Sequence, residues 1–191
     1  MSPLELLVVS NDAFARRLRL VQPDDWQRPT PCSEWDVRAL VNHVVGANIR
    51  YQLLLHGAAA EQVEATRTVD HLGDDAVVSF VATADAVVAC FHEDGALERI
   101  AHHVTGDRTG RQLLSMRILD VAIHGWDLAC AIGADQTLDT DVVAFLLAYT
   151  ADLDLGQSAF ALADTEVRHN APPQDQLLHR LGRRPNTLQE A

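Results

Sequence analysis

In LELLVVSNDAFARRLRLV the apolar positions return every three or four residues, the period of one face of an α-helix. Ser2 stands where an N-cap is wanted and Pro3 at the first helical position, so the pattern predicts a first helix from the start of the chain. VQPDDWQRPTPCSEW interrupts the period with prolines and reads as a connection. After it, Ser33 and Asp36 form a capping-box-like pair that opens a second helix, WDVRALVNHVVGANIRYQLLLHG. Asp74 and Asp75 cap a third, AVVSFVATADAVVACFHED, in which Val77, Val81, Ala84 and Val88 share a face and Gly95 supplies the stop. Residues 96–110, ALERIAHHVTGDRTG, alternate imperfectly and end in turn residues, which suits a short hairpin.

From about residue 112 to 132 the run QLLSMRILDVAIHGWDLACAI is apolar nearly all round, as expected for a fourth helix buried inside a bundle. Thr140 or Asp141 caps a fifth, VVAFLLAYTADL. The pattern therefore predicts a mainly all-α chain, with a helical bundle over residues 1–155 and a tail over 156–191 that packs on it. No repeat or low-complexity tract divides it.

Composition narrows the function. At 191 residues and 48% hydrophobic the chain can bury a real core. A formal charge of −12 makes a phosphate backbone a poor partner, so nucleic-acid binding is not expected. No apolar run approaches the ~20 residues needed to cross a bilayer, and the N-terminal segment lacks a basic leader; the expectation is a cytoplasmic protein without a membrane partner. Cys32, Cys90 and Cys130 are odd in number and widely spaced, so they are expected as reduced thiols, at least two of them in the core. All fifteen basic residues are arginine, which points to codon bias in a GC-rich genome.

One helical face carries chemistry. Leu113, Met116, Asp120, His124, Leu128 and Ala131 fall three or four apart, so an ionisable pair interrupts an apolar stripe. A carboxylate in such a place costs several kcal/mol unless paired, protonated or bound to a cation. On the second helix His43 continues the row of Leu40 and Ala47, and Gly46 leaves room one turn away for a ligand or water. Packed helix axes lie ~8–10 Å apart, so His43, Asp120 and His124 can converge on one divalent ion with bonds of ~2.0–2.2 Å. Two nitrogens and one oxygen suit zinc, or nickel, and leave a coordination position open. The alternative left open by spacing is that Asp120 accepts a hydrogen bond from His124 and His43 is an ordinary half-buried histidine.

The segments RPTPCSEWDVRALVNHVVGAN, RILDVAIHGWDLACAIGAD and APPQDQLLHRLGRRP resemble the actinobacterial branch of the DinB-like superfamily, the proteins related to the metal-binding domain of mycothiol-dependent maleylpyruvate isomerase. The resemblance implies an up-down-down-up four-helix bundle with an extra helix and a minor β-hairpin. It also implies metal ligands on its second and last core helices, where His43, Asp120 and His124 fall. Asp120 stands where the isomerase has Glu, and the chain lacks that enzyme's long C-terminal extension, which leaves the substrate open. The activity implied is that of a metal- and mycothiol-dependent transferase or isomerase, in which the ion lowers the pKa of the thiol for attack on an electrophile. A homodimer is compatible with this. Two rivals are a non-catalytic binding module, whose metal would be closed by a fourth ligand such as His103, and a helical interaction protein without metal.

Other residues carry paired readings. Asp127 either receives the second ring proton of a ligand histidine or faces solvent, with Trp126 as packing. Trp26 and Trp35 read as staples, and Cys32 as a capping-segment residue with no histidine placed beside it by sequence. Of His102 and His103 at most one could reach a metal site; Arg108 and Arg111 read as solvated charges that could otherwise meet an anion. His169 and His179 receive no role.

Overall fold

A computed structural model describes residues 1–151, 153 and 171–185. Helix α1 (Pro3–Leu18) opens on a capping box in which Ser2 Oγ accepts from the Glu5 amide and the Glu5 carboxylate accepts from the Ser2 amide. Helix α2 (Val37–Leu55) is capped by Asp36, whose carboxylate accepts from the Ala39 amide at 2.8 Å. Ser33 takes no part in that cap, because the loop before α2 is closed by its own hydrogen bonds. A short helix α3 (Ala60–Ala65) and a 3-10 turn (Thr66–Thr68) follow, neither predicted. They bury no residue, so they leave no apolar period to read.

Helix α4 (Ala76–His92) starts at Asp75, whose carboxylate accepts from two amides. Strands β1 (Ile100–His103) and β2 (Gly106–Thr109) form the expected antiparallel hairpin. Helix α5 (Gly110–Ile132) begins directly after it, capped by Thr109, and stops at Gly133 in the left-handed region at φ 68°. A side chain at Gly110 would place its Cβ 1.9 Å from the Ala96 carbonyl oxygen, so glycine here lets α5 start against the chain that enters the hairpin.

The chain divides into two compact units, Met1–Thr137 and Leu138–Ala191. In the first, α1 and α2 each pack against both α4 and α5, giving a four-helix core. Leu7 and Phe14 on α1, Leu40 and Val44 on α2, Phe80 and Val87 on α4, and Leu113 and Leu128 on α5 are buried there. Each such side chain contributes about 1.5–3 kcal/mol on leaving water. In the second unit, α6 (Thr140–Tyr149) packs on α7 (Pro173–Arg180). The cap of α6 is Asp139, not Thr140 or Asp141, since the Asp139 carboxylate accepts from the Asp141 and Val142 amides. Of the expected tail, residues 156–170 and 186–191 lie outside the described residues.

Among the described residues no helix is long and apolar enough to cross a membrane. Of the cysteines, Cys90 alone is buried, while Cys32 and Cys130 are half-buried, so fewer lie in the core than expected. Burial still pushes the Cys130 thiol up to about 12.

Candidate metal centre

The packing of α2 on α5 decides the geometry. It sets His43, from the middle of α2, against Asp120 and His124, one turn apart on α5. The Asp120 carboxylate splits its oxygens: Oδ1 lies 3.2 Å from His43 Nε2 and 3.3 Å from His124 Nε2, while Oδ2 accepts from Arg117 Nη1. Donors that share an ion at ~2.0–2.2 Å with tetrahedral angles stand roughly 3.3–3.6 Å apart, so the spacing about Oδ1 fits a small divalent cation. The Asp120 side chain keeps 18% of its surface exposed and His43 is half-buried, so the cluster is not sealed from solvent.

Arg117 is fully buried and was not singled out by sequence. Its guanidinium donates to Asp120, to Asn48 Oδ1 at 2.9 Å and to the Val44 carbonyl at 3.1 Å. This pairing supplies a second answer to why a carboxylate stands in an apolar stripe, and it needs no metal. The signal was its place three residues before Asp120, the spacing of an ion pair on one helix.

A second layer lies behind His124. Its Nδ1 is 3.0 Å from Asp127 Oδ2, and Asp127 is fully buried, so the outer-partner reading of Asp127 is the one the geometry matches. Trp126 is buried in the core, the reading paired with a solvent-facing Asp127. Cys32 Sγ sits 3.3 Å from Asp127 Oδ2 and 3.8 Å from His124 Nδ1. The expectation that no histidine stands beside Cys32 is therefore corrected. Thr30 brings it there, its hydroxyl bonding the Cys32 amide and the Trp35 carbonyl. The same loop lays Trp35 over the site, its ring 4.4 Å from that of His43 and 5.5 Å from that of His124 between centroids. Trp35 thus covers the histidines instead of stapling the helix.

The remaining candidates fall elsewhere. His102 bonds Asp107 and His103 bonds Thr105 within the hairpin, and His103 does not join the three-residue cluster. Arg108 bonds Thr105, and Arg111 pairs with Glu98. His169 lies outside the described residues, and His179 is buried in α7. Gly46 does not leave a vacant space, because a Cβ there would meet His71 Cδ2 at 2.8 Å and Arg50 Nη1 at 2.9 Å.

Electrostatics follow the geometry. Burial alone would raise the Asp120 pKa, but the charge of His43 and the hydrogen bonds of both histidines hold it well below the carboxylate range. Burial alone would depress His124, but hydrogen bonds to Asp120, Asp127 and Cys32 drive it well above the imidazole range. Burial lowers His43, only partly offset by Asp120. The contacts with Asp120 and Asp127 thus favour the protonated form of His124 between two carboxylates.

The pKa shifts set a stability profile for the chelated protein. The depressed Asp120 stabilises the fold above its unfolded value of about 3.8, and that contribution is lost as pH falls through its folded value. The raised His124 stabilises it fully below about 6.5, and that contribution is lost as pH rises through its folded value. His43 runs in the opposite direction to His124, with the lesser shift. Melting temperature in chelator is expected to be highest between about pH 4 and pH 6.5; a maximum on the alkaline side would contradict the imidazolium.

The mycothiol maleylpyruvate isomerase N-terminal domain family matches residues 9–129. Two uncharacterised proteins of Mycobacterium tuberculosis, from strains CDC 1551 / Oshkosh and ATCC 25618 / H37Rv, are each 33% identical over 196 residues, spanning 96% of this chain and 98% of theirs. The crystal structure of the mycothiol-dependent maleylpyruvate isomerase superposes with a TM-score of 0.60 at 18% identity, over 77% of this chain and 67% of that one. A histidine-to-alanine mutant of that enzyme gives 0.61. At this identity the likeness speaks for the fold, and the mainly α-helical architecture and the resemblance read from sequence both hold.

Proposed function

The chain belongs to the mycothiol maleylpyruvate isomerase N-terminal domain family, and from that premise we propose that His43, Asp120 and His124 hold a divalent ion, zinc or nickel, in a cytoplasmic enzyme that activates mycothiol. The reaction class is thiol-dependent transfer to, or isomerisation of, an electrophilic small molecule. The single observation that supports it most is the meeting of three donor groups from α2 and α5 within 4.8 Å of one another, with both imidazole Nε2 atoms 3.2–3.3 Å from Asp120 Oδ1.

When bound, such an ion would lower the pKa of a coordinating thiol, so that thiolate, the nucleophilic form, is available near neutral pH. The residues supply the rest. Asp127 holds the proton of His124 on Nδ1, which leaves Nε2 as the ligand atom. Arg117 fixes Asp120 through Oδ2 and keeps Oδ1 directed at the two imidazoles. Trp35 covers the histidines on one side and limits water there. With a divalent ion in place of the Nε2 proton, the charges of Arg117, Asp120 and Asp127 leave one positive charge uncompensated, and a thiolate would neutralise it.

The test is direct. Zinc-supplemented protein is expected to carry about one ion per chain by native mass spectrometry, and His124→Ala to carry none. The loaded protein is expected to accelerate reaction of mycothiol with monobromobimane, and the chelated protein not to. Wild type that stays metal-free after supplementation would end this reading. Arg117 favours a second one, a helical module without metal, in which Asp120 is already neutralised. Chelation should then leave the melting temperature unchanged.

A further inference from the structure

A cavity of about 900 Å³ opens beside α2, between α3, the 3-10 turn and β1. That is the size of a small-molecule pocket, for which roughly 300–1,000 Å³ is usual. Tyr51, Leu54 and Val63 give it an apolar wall, and Arg50 and His103 a polar one. His43, Asp120 and His124 do not line it. Arg50 is what connects the two, because it lines the cavity while its Nη2 donates to the His43 carbonyl at 3.3 Å.

The state of Arg50 is unusual. Only 8% of the residue is exposed, yet among the described residues no carboxylate lies within ion-pair distance of it. Its polar contact is a backbone carbonyl, which satisfies one N–H and none of the charge. Asp120 is already engaged by Arg117 and the two histidines. A buried cation without a counter-ion is costly, and such a group persists where an anion joins it. Gly46 makes the arrangement possible, since a Cβ there would sit 2.9 Å from Arg50 Nη1.

We propose that Arg50 is the recognition site for the carboxylate of a small organic anion that occupies this cavity. The surroundings select the charge. Arg67 at the rim is spent on Glu64, its Nε 2.7 Å from the carboxylate, and Glu61 adds a further negative charge at the entrance. One unspent guanidinium inside a rim that carries acids matches a singly charged planar carboxylate and disfavours a phosphate dianion. If the metal-dependent thiol chemistry holds, the occupant is the electrophilic substrate, anchored by its carboxylate two turns along the same helical face from His43. The anion site itself does not depend on the metal.

The experiment uses crotonate, crotonamide as its neutral isostere, and inorganic phosphate, titrated into the full chain and followed by amide NMR. It is run in chelator and again with zinc. Crotonate is expected to give saturable shifts at Arg50, Tyr51 and His103 in both conditions, with crotonamide and phosphate much weaker. Arg50→Gln is expected to weaken crotonate about ten- to a hundredfold. Arg50→Lys should fall between, because it keeps the charge and loses the fork, and Arg111→Gln on the far exposed pair should match wild type. Crotonate that fails to bind, binds no better than crotonamide or phosphate, or binds Arg50→Gln as well as wild type overturns the proposal. Binding in chelator alongside a failed zinc stoichiometry would sink the metal reading and leave this one standing.

Discussion

Arg117→Ala is expected to destabilise the chelated protein by about 3–5 kcal/mol, the loss seen when one partner of a buried ion pair is removed. The size comes from what is left behind. Asp120 would keep its charge with only histidines for company, and Asn48 Oδ1 and the Val44 carbonyl, both on fully buried residues, would lose their donor. Asn48 is itself fully buried and donates to Thr83 Oγ1, so the disturbance reaches from α5 through α2 to α4. Urea unfolding in chelator measures the loss. The double variant Arg117→Ala/Asp120→Ala is expected to lose clearly less than the two single losses added, since neither charge is then stranded. Zinc should restore part of the Arg117→Ala loss if it binds Asp120, because it replaces the missing positive charge. A loss below about 1 kcal/mol would mean that the pair is hydrated and that Asp120 is not a buried charge at all.

The same residue marks where sequence reading stops. The helices of the core were legible for two reasons: α1, α2 and α4 each bury a stripe with a helical period, and α5 is apolar nearly all round and buried on most of its faces. The rows containing His43 on α2 and Asp120 and His124 on α5 were legible for that reason, and the family resemblance supplied the further step of setting those two helices face to face. Arg117 was not, because a charge beside an apolar run normally lies on the solvated face, and only tertiary packing turns this one inward. Cys32 and Trp35 reach the site through a loop whose shape rests on the Thr30 hydroxyl, and no periodicity encodes such a contact across 92 residues of separation. Arg50 hides differently: it sits seven residues after His43, on the same face, but its importance lies in having no ion-pair partner among the described residues, and such an absence has no sequence signature.

The remaining large effect concerns Asp127. Asp127→Asn keeps the shape and removes the charge, and it is expected to weaken zinc binding by about 10–100-fold, the usual consequence of disabling the outer partner of a ligand histidine. That loss is expected to depend on pH in a definite direction. If His124 is a ligand as proposed, a metal must displace the Nε2 proton of a histidine whose pKa lies well above its ordinary value, so apparent affinity climbs with pH until that value is passed. With asparagine at 127, one of the carboxylates that hold the imidazolium is gone, so the proton is a weaker competitor and the climb ends sooner. At low pH the weaker ligand and the weaker competitor offset each other; at high pH only the weaker ligand remains. Competition against a chromophoric zinc chelator should therefore show a gap between wild type and variant that widens from about pH 6 to about pH 8. A gap that narrows over that range would mean that Asp127 acts on the metal site without acting on the His124 proton. Equal affinities throughout would remove Asp127 from the centre altogether.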